Sequence, residues 1–209
     1  DDFGWQARLA DVNGDGRADL VVASPGTPVT NSSGKHEDAG VIYVLKSVNG
    51  AITGTGSSQY TQDTAGITGS PGKGDGWGST LIANDLNGDG KADIVVTGTD
   101  RYVDYIPGSS SGPVTTSSKT FTQSTSGIVG TDTSGDAWGE SLMAVSIKGA
   151  GPAALVVGAP GKHSGKGSIS VLYSTSSGPT GTGSLYLDQD STNVPGTAET
   201  GDFMGTFFQ

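Results

Sequence analysis

No cysteine occurs in this chain of 209 residues, so disulfide bridging and thiol chemistry are closed to it, and its stability has to come from packing or bound metal. Histidine is almost as scarce. His36 and His163 are too few for a conventional multi-histidine metal site without other ligands. Positive charge is also in short supply, with 11 Lys and Arg against 21 Asp and Glu and a net charge of -10. No basic stripe exists to neutralise phosphates, which excludes a nucleic-acid partner and electrostatic docking on an anionic membrane. Long apolar runs are missing as well. The longest are a few residues, so no stretch resembles a transmembrane segment or a signal peptide. A chain beginning at Asp1 suits a processed product or an excised fragment, and a secreted or cell-surface location is expected from the character of the chain.

Glycine is abundant, at 36 residues, and short apolar runs recur between the polar stretches. Leu20-Val21-Val22-Ala23, Ile94-Val95-Val96 and Leu155-Val156-Val157 read as strands separated by turns, which argues against disorder. Four segments line up: Asp1-Asp2-Phe3-Gly4, Asp75-Gly76-Trp77-Gly78, Asp136-Ala137-Trp138-Gly139 and Asp202-Phe203-Met204-Gly205. Their glycines are 74, 61 and 66 residues apart. A constant internal order at an irregular period indicates structural repeats with loops of different length.

Within each repeat a first strand is expected at Ala7–Ala10, Leu81–Ala83 and Leu142–Val145, and a second begins near Leu20, Ile94 and Leu155. Third strands fall at Val41–Leu45, Tyr102–Ile106 and Ile169–Tyr173. Fourth strands centre on Tyr60-Thr61-Gln62, Phe121-Thr122-Gln123 and Leu187-Asp188-Gln189. Four short antiparallel strands per unit predict an all-β protein built of β-propeller blades, with a β-sandwich as the competitor. The blades are placed at about residues 1–66, 67–127 and 128–196, with the opening and first strand of a fourth at about 197–209.

The sequence resembles the FG-GAP repeat family, the blades of integrin α-subunit-like β-propellers. The resemblance rests on Phe3-Gly4 with Asp11-Val12-Asn13-Gly14-Asp15-Gly16-Arg17-Ala18-Asp19-Leu20, and on Trp77-Gly78 with Asp85-Leu86-Asn87-Gly88-Asp89-Gly90-Lys91-Ala92-Asp93-Ile94. The third copy keeps Trp138-Gly139 and Gly158-Ala159-Pro160-Gly161 but has lost the acidic loop. In that family the loop joins the first two strands of a blade.

The duplicated loop is the strongest chemical signal. Asp11, Asn13, Asp15 and Asp19 match Asp85, Asn87, Asp89 and Asp93 position for position. Calcium takes about six to eight oxygens, and alternating side chains in a tight loop can supply several. Arg17 and Lys91 have no side-chain oxygen, so their contribution is the backbone carbonyl. The competing reading is a pair of Asx-type turns that bind nothing. Two calcium sites with a structural role are expected, and none in the third copy, where Ser146–Ala154 carries no carboxylate and Lys148 supplies a cation.

No catalytic residue is assigned. His163 precedes Ser164, but no Gly-x-Ser-x-Gly elbow is present. Trp77, Trp138 and Phe3 are expected to pack between neighbouring blades, and Tyr43, Tyr102, Tyr105 and Tyr173 to pack on third strands. Asn31-Ser32-Ser33 matches a glycosylation acceptor. The insertion from Gly26 to Gly40, with Lys35, His36, Glu37 and Asp38, is the best local contact surface.

Propellers close with about four to eight blades, so three blades imply more protein, either on a second chain or as identical subunits. The functional expectation is a calcium-stabilised binding or scaffold module, as in cell adhesion, with a protein or glycan ligand. The alternative is the accessory propeller of a secreted hydrolase whose catalytic residues lie elsewhere.

Overall fold

The computed structural model describes residues 1–99, 102–147, 149 and 151–208. The runs rich in Val, Ile and Leu become strands, because branched side chains fit a pleated surface packed on both faces. Twelve strands form three four-stranded antiparallel sheets. The first sheet holds β1 (Gln6–Ala10), β2 (Asp19–Ser24), β3 (Val41–Leu45) and β4 (Ser58–Tyr60). The second holds β5 (Thr80–Asn84), β6 (Asp93–Thr97), β7 (Val103–Ile106) and β8 (Lys119–Phe121). The third holds β9 (Ser141–Val145), β10 (Ala154–Ala159), β11 (Ser168–Leu172) and β12 (Leu185–Leu187). Each strand lies beside the next in sequence, and the register is the same in all three sheets. Leu9 faces Leu20 and Leu20 faces Leu45; Ala83, Ile94 and Ile106 repeat that row, as do Ala144, Leu155 and Leu172.

The chain divides into two compact units, Asp1–Asp85 with Asp89–Thr120, and Leu86–Gly88 with Phe121–Gln209. In the first, Val21, Ala23, Ile42 and Val44 of one sheet form a single core with Leu81, Ile94, Val96 and Ile106 of the other, and Trp77 is buried among them. In the second, Leu155, Val157 and Leu172 are fully buried, and Ala154, Val156 and Val171 form a cluster flanked by Met143, Val145, Ile169, Tyr173 and Phe208.

The opening motif is a specific backbone turn. Gly4, Gly78, Gly139 and Gly205 have φ of 92°, 104°, 97° and 89°. The residues two positions earlier, Asp2, Gly76, Ala137 and Phe203, are left-handed too, with φ of 51°, 54°, 54° and 48°. Such conformations are cheap only for glycine, which explains why the last position is always glycine. The turn ties each motif to the second strand of its own sheet: Gly4 N–H donates to Ala23 O at 3.1 Å, Gly78 to Thr97 at 2.9 Å and Gly139 to Gly158 at 2.9 Å. The motif aspartate closes it from the other side. Asp75, Asp136 and Asp202 accept from the N–H three residues back, in Gly72, Thr133 and Glu199.

Four expectations need correction. The fourth strands end at Tyr60, Phe121 and Leu187, where their centres were expected. A hydroxyl takes the next N–H out of the ladder, as Thr61 N–H donates to Thr64 Oγ1 at 2.9 Å, Thr122 to Thr125 at 2.9 Å and Asp188 to Ser191 at 3.0 Å. Second, the insertion from Gly26 to Gly40 is not a plain loop. It carries a hairpin of Val29–Asn31 against Gly34–His36.

Third, Phe3 does not share the environment of the two tryptophans. Trp77 and Trp138 are 0% and 2% exposed, whereas Phe3 is 63% exposed and meets the ring of Tyr43 at 5.4 Å. Tyr43 sits opposite Val22, on the face of the first sheet turned away from the shared core that holds Val21 and Val44. Fourth, among its described residues the tail keeps the opening turn but forms no strand, since Met204 makes one parallel bridge with Gly167. A strand needs a ladder partner, and a single bridge does not supply one.

Candidate metal centre

Loop 1 joins β1 to β2, and its fold is dictated by its acidic and amide side chains. Asp11 Oδ1 accepts the N–H groups of Gly14 at 2.6 Å and Asp15 at 3.1 Å, and its Oδ2 accepts Gly16 N–H at 2.7 Å. Asn13 Oδ1 accepts Asp15 N–H at 2.9 Å, and Asp15 Oδ1 accepts Arg17 N–H at 2.9 Å. Three carboxylate or amide side chains at alternate positions thus wrap the backbone around themselves, with Gly14 and Gly16 at φ of 74° and 81° allowing the bends. Arg17 stands exposed beside Asp15, with Nη1 3.8 Å from Oδ2.

Loop 2, between β5 and β6, repeats this pattern in the same register. Asp85 accepts from Asp89 at 3.2 Å and Gly90 at 2.9 Å, and Asp89 Oδ1 accepts Lys91 N–H at 2.9 Å. Lys91 Nζ stands 3.5 Å from Asp89 Oδ2, as Arg17 stands beside Asp15. Asn87, half-buried, occupies the position of Asn13 in the chain but falls within the second compact unit.

The eighth residue after each leading aspartate behaves differently from the rest. Asp19 and Asp93 are fully buried at the first position of β2 and β6. Asp19 Oδ1 accepts Ser47 N–H at 2.8 Å and Asp93 Oδ1 accepts Gly108 N–H at 2.9 Å, so each carboxylate clamps the segment that follows the third strand. Asp19 Oδ2 is buried without a hydrogen-bond partner. A buried carboxylate oxygen left unsatisfied is costly, and a bound cation is one way to satisfy it. The donor set is all oxygen and hard, which fits calcium in preference to a softer transition metal. Among the described residues, however, no three Asp, Glu, His or Cys side chains are gathered as a ready cage. The leading carboxylates are engaged with the backbone instead, so a full coordination shell calls for loop side chains to turn inward and for the carbonyls of Arg17 and Lys91 to contribute. In the third repeat, Lys148 lies outside the described residues, and Ser146 Oγ donates to Gly149 O at 3.3 Å.

The two histidines occupy unlike settings. His36 Nε2 lies 2.9 Å from Ser33 Oγ and 3.2 Å from Asn31 Oδ1, at the tip of the hairpin. Ser33 Oγ is also 2.7 Å from Asn31 Oδ1, an acceptor only. The consistent proton arrangement therefore has Ser33 donating to Asn31 and His36 Nε2–H donating as well. An Nε2 that carries its proton cannot take one from Ser33, so the pair lacks the polarity of a nucleophile and its base. His163 is exposed, and both it and Ser164 have left-handed backbone, with φ of 51° and 63°.

Two buried groups escaped the sequence reading. Asp104, fully buried on β7, accepts Trp77 Nε1–H at 2.9 Å and Thr120 Oγ1–H at 2.6 Å, holding the motif tryptophan in place. Lys162, 2% exposed, pairs with Asp136 at 2.6 Å and donates to Thr131 O. With its amide nitrogen facing them, Gln123 donates to Asp136 Oδ2 at 3.0 Å and to Thr131 O at 3.1 Å. The sequence signal was the glutamine that recurs two residues after each fourth strand, at Gln62, Gln123 and Gln189.

Residues 3–45 match the family model of the FG-GAP repeat. That stretch is similar to an FG-GAP repeat. The matched FG-GAP segment spans the Phe3-Gly4 turn, loop 1, β2, the hairpin and β3. No curated protein matches the chain. Among the described residues, no helix is long and apolar enough to cross a membrane.

Proposed function

We propose that this chain is a run of FG-GAP blades from an integrin-like β-propeller, held in shape by two calcium ions and serving outside the cell as a binding or scaffold module for a protein or glycan. The three sheets correspond to blades at about residues 1–66, 67–127 and 128–196, and the turn at Asp202–Gly205 opens a fourth. Further blades, whether from a longer form of this polypeptide, a second chain or identical subunits, complete the ring. The hairpin at Val29–His36 projects exposed Ser32, Ser33 and Lys35 and is the candidate contact surface.

The observation that carries the reading is the duplicated loop, in which the same side chains make the same backbone bonds at Asp11–Asp19 and Asp85–Asp93, each ending on a fully buried carboxylate. Asx turns alone explain the first five residues of the loop. They do not explain why the eighth residue after the leading aspartate is a buried carboxylate with an unsatisfied oxygen at Asp19.

Calorimetric titration of chelator-treated protein with calcium tests this. Two ions per chain are expected, falling to one in Asp19→Ala and to one in Asp93→Ala. Each occupied site adds about 2.7 kcal/mol of stability when free calcium is roughly a hundred times the dissociation constant, which thermal unfolding reads directly. An unchanged stoichiometry in both variants, or no binding in the parent, overturns the assignment.

A further inference from the structure

The two acidic loops touch one another, and the contacts run through the residues that would bind the ion. Ala92 N–H, immediately before the buried Asp93 of loop 2, donates to the backbone carbonyl of Asp11 of loop 1 at 2.7 Å. Gly108, whose N–H is held by Asp93 Oδ1, is wedged between the loops: a Cβ there would lie 2.5 Å from Ala92 O and 2.8 Å from Val12 O. The alkyl chain of Lys91 lies over Gly14, with Cγ 3.0 Å from where a Cβ would stand. The last carboxylate of one loop and the first of the other are therefore separated by one residue and one hydrogen bond.

We propose that loops 1 and 2 bind calcium with positive coupling, loop 2 holding Asp11 and Gly14 of loop 1 in the geometry that binding needs. This rests on the calcium reading above and adds to it. Ordering Asp89–Asp93 fixes Ala92 N–H and, through Gly108, the path of Val12, so the conformational entropy lost on ordering the shared contact is lost once for two ions. Repulsion between two dications acts in the opposite direction, but the loops are exposed at their tips and solvent and salt screen it. A coupling of this kind is reciprocal: each site must weaken by the same factor when the other is disabled.

Two conservative variants test it in the full chain. Asp89→Asn and Asp15→Asn keep the Oδ1 acceptors that bond Lys91 N–H and Arg17 N–H, so the turns persist while one charged ligand is removed from each loop. Far-UV circular dichroism checks that both fold. Calcium calorimetry is then expected to find one site in each variant, with an affinity lower than in the parent by a common factor on the order of tenfold. One remaining site of unchanged or higher affinity overturns the coupling and leaves the calcium assignment intact. Absence of calcium binding in the parent overturns the assignment on which the coupling rests.

Discussion

At the scale of single residues, identical tripeptides meet different fates. Gly34-Lys35-His36 and Gly161-Lys162-His163 read alike, yet Lys35 is exposed and pairs with Glu37 at 2.8 Å in solvent, where such a pair contributes little. Lys162 is buried against Asp136, with side-chain exposures of 2% and 5%. Removing one partner of a buried pair strands the other charge. Lys162→Met is therefore expected to cost about 3–5 kcal/mol, and pairing it with Asp136→Leu to recover part of the loss. Urea unfolding of the single and double variants measures both. A single variant within the error of the parent contradicts the buried pair, because an exposed lysine at that position changes almost nothing. Nothing local to the tripeptide distinguishes the two lysines. Lys162 is selected by Asp136 and Thr131, which lie 26 and 31 residues away in sequence.

At the scale of elements, the opening turn was legible because its chemistry is local. A glycine held at positive φ, an aspartate three residues earlier and a bulky residue between them recur because each is required by a backbone angle or bond within a few residues. That its aromatic packs between repeats was expected and holds for Trp77, but the backbone junction beside it was not legible. Trp77 N–H donates to Ala39 O at 3.0 Å, and Gly40, at φ of 97°, passes so close to the Trp77 backbone that a Cβ would overlap it. Met204 N–H donates to Lys166 O at 3.2 Å beside Gly167, at φ of 81°, so the same junction occurs in the other unit. Gly40→Ala adds a left-handed penalty to a backbone clash and should destabilise the first unit by on the order of 3 kcal/mol. Loss of Trp77 fluorescence burial at lower denaturant, relative to Gly34→Ala in the exposed hairpin turn, is the readout. Equal behaviour of the two variants shows that the junction does not hold the sheets.

At the scale of the whole molecule, each compact unit contains a tyrosine whose ionisation opposes folding. Burial pushes the Tyr60 phenol above its ordinary value of 10.0, with the Ser58 hydrogen bond drawing it partly back. Burial raises Tyr186 likewise, with Ser168 countering and Asp188 adding to the rise. As pH climbs past 10.0 the unfolded chain ionises first, the folded state holds more protons, and stability falls. Lys119 acts the other way. Burial keeps its ammonium below 10.5, so the unfolded chain binds more protons just under that value and stability rises through that window. The two phenols lower stability on the alkaline side, one in each compact unit. Urea midpoints compared at about pH 9 and about pH 11 should fall less in Tyr60→Phe/Tyr186→Phe than in the parent. An equal fall in both assigns the alkaline loss to other groups.

The sequence by itself determined the all-β character, the strand order within each repeat, the opening turns and the composition of both acidic loops. Each of these depends on residues close together in the chain: branched runs that prefer extended backbone, glycines at left-handed positions, and Asp and Asn side chains that bond the N–H groups just after them. The tertiary structure decided what those elements touch. It exposed Phe3 while enclosing Trp77, because a motif aromatic is buried only between two sheets and Phe3 lies on the face of the first sheet away from the shared core. It turned an inserted stretch into a hairpin, buried Lys162 and Asp104, and placed Ala92 against Asp11. These outcomes depend on groups tens of residues apart meeting at a few ångströms, a distance that only the packing of whole sheets sets.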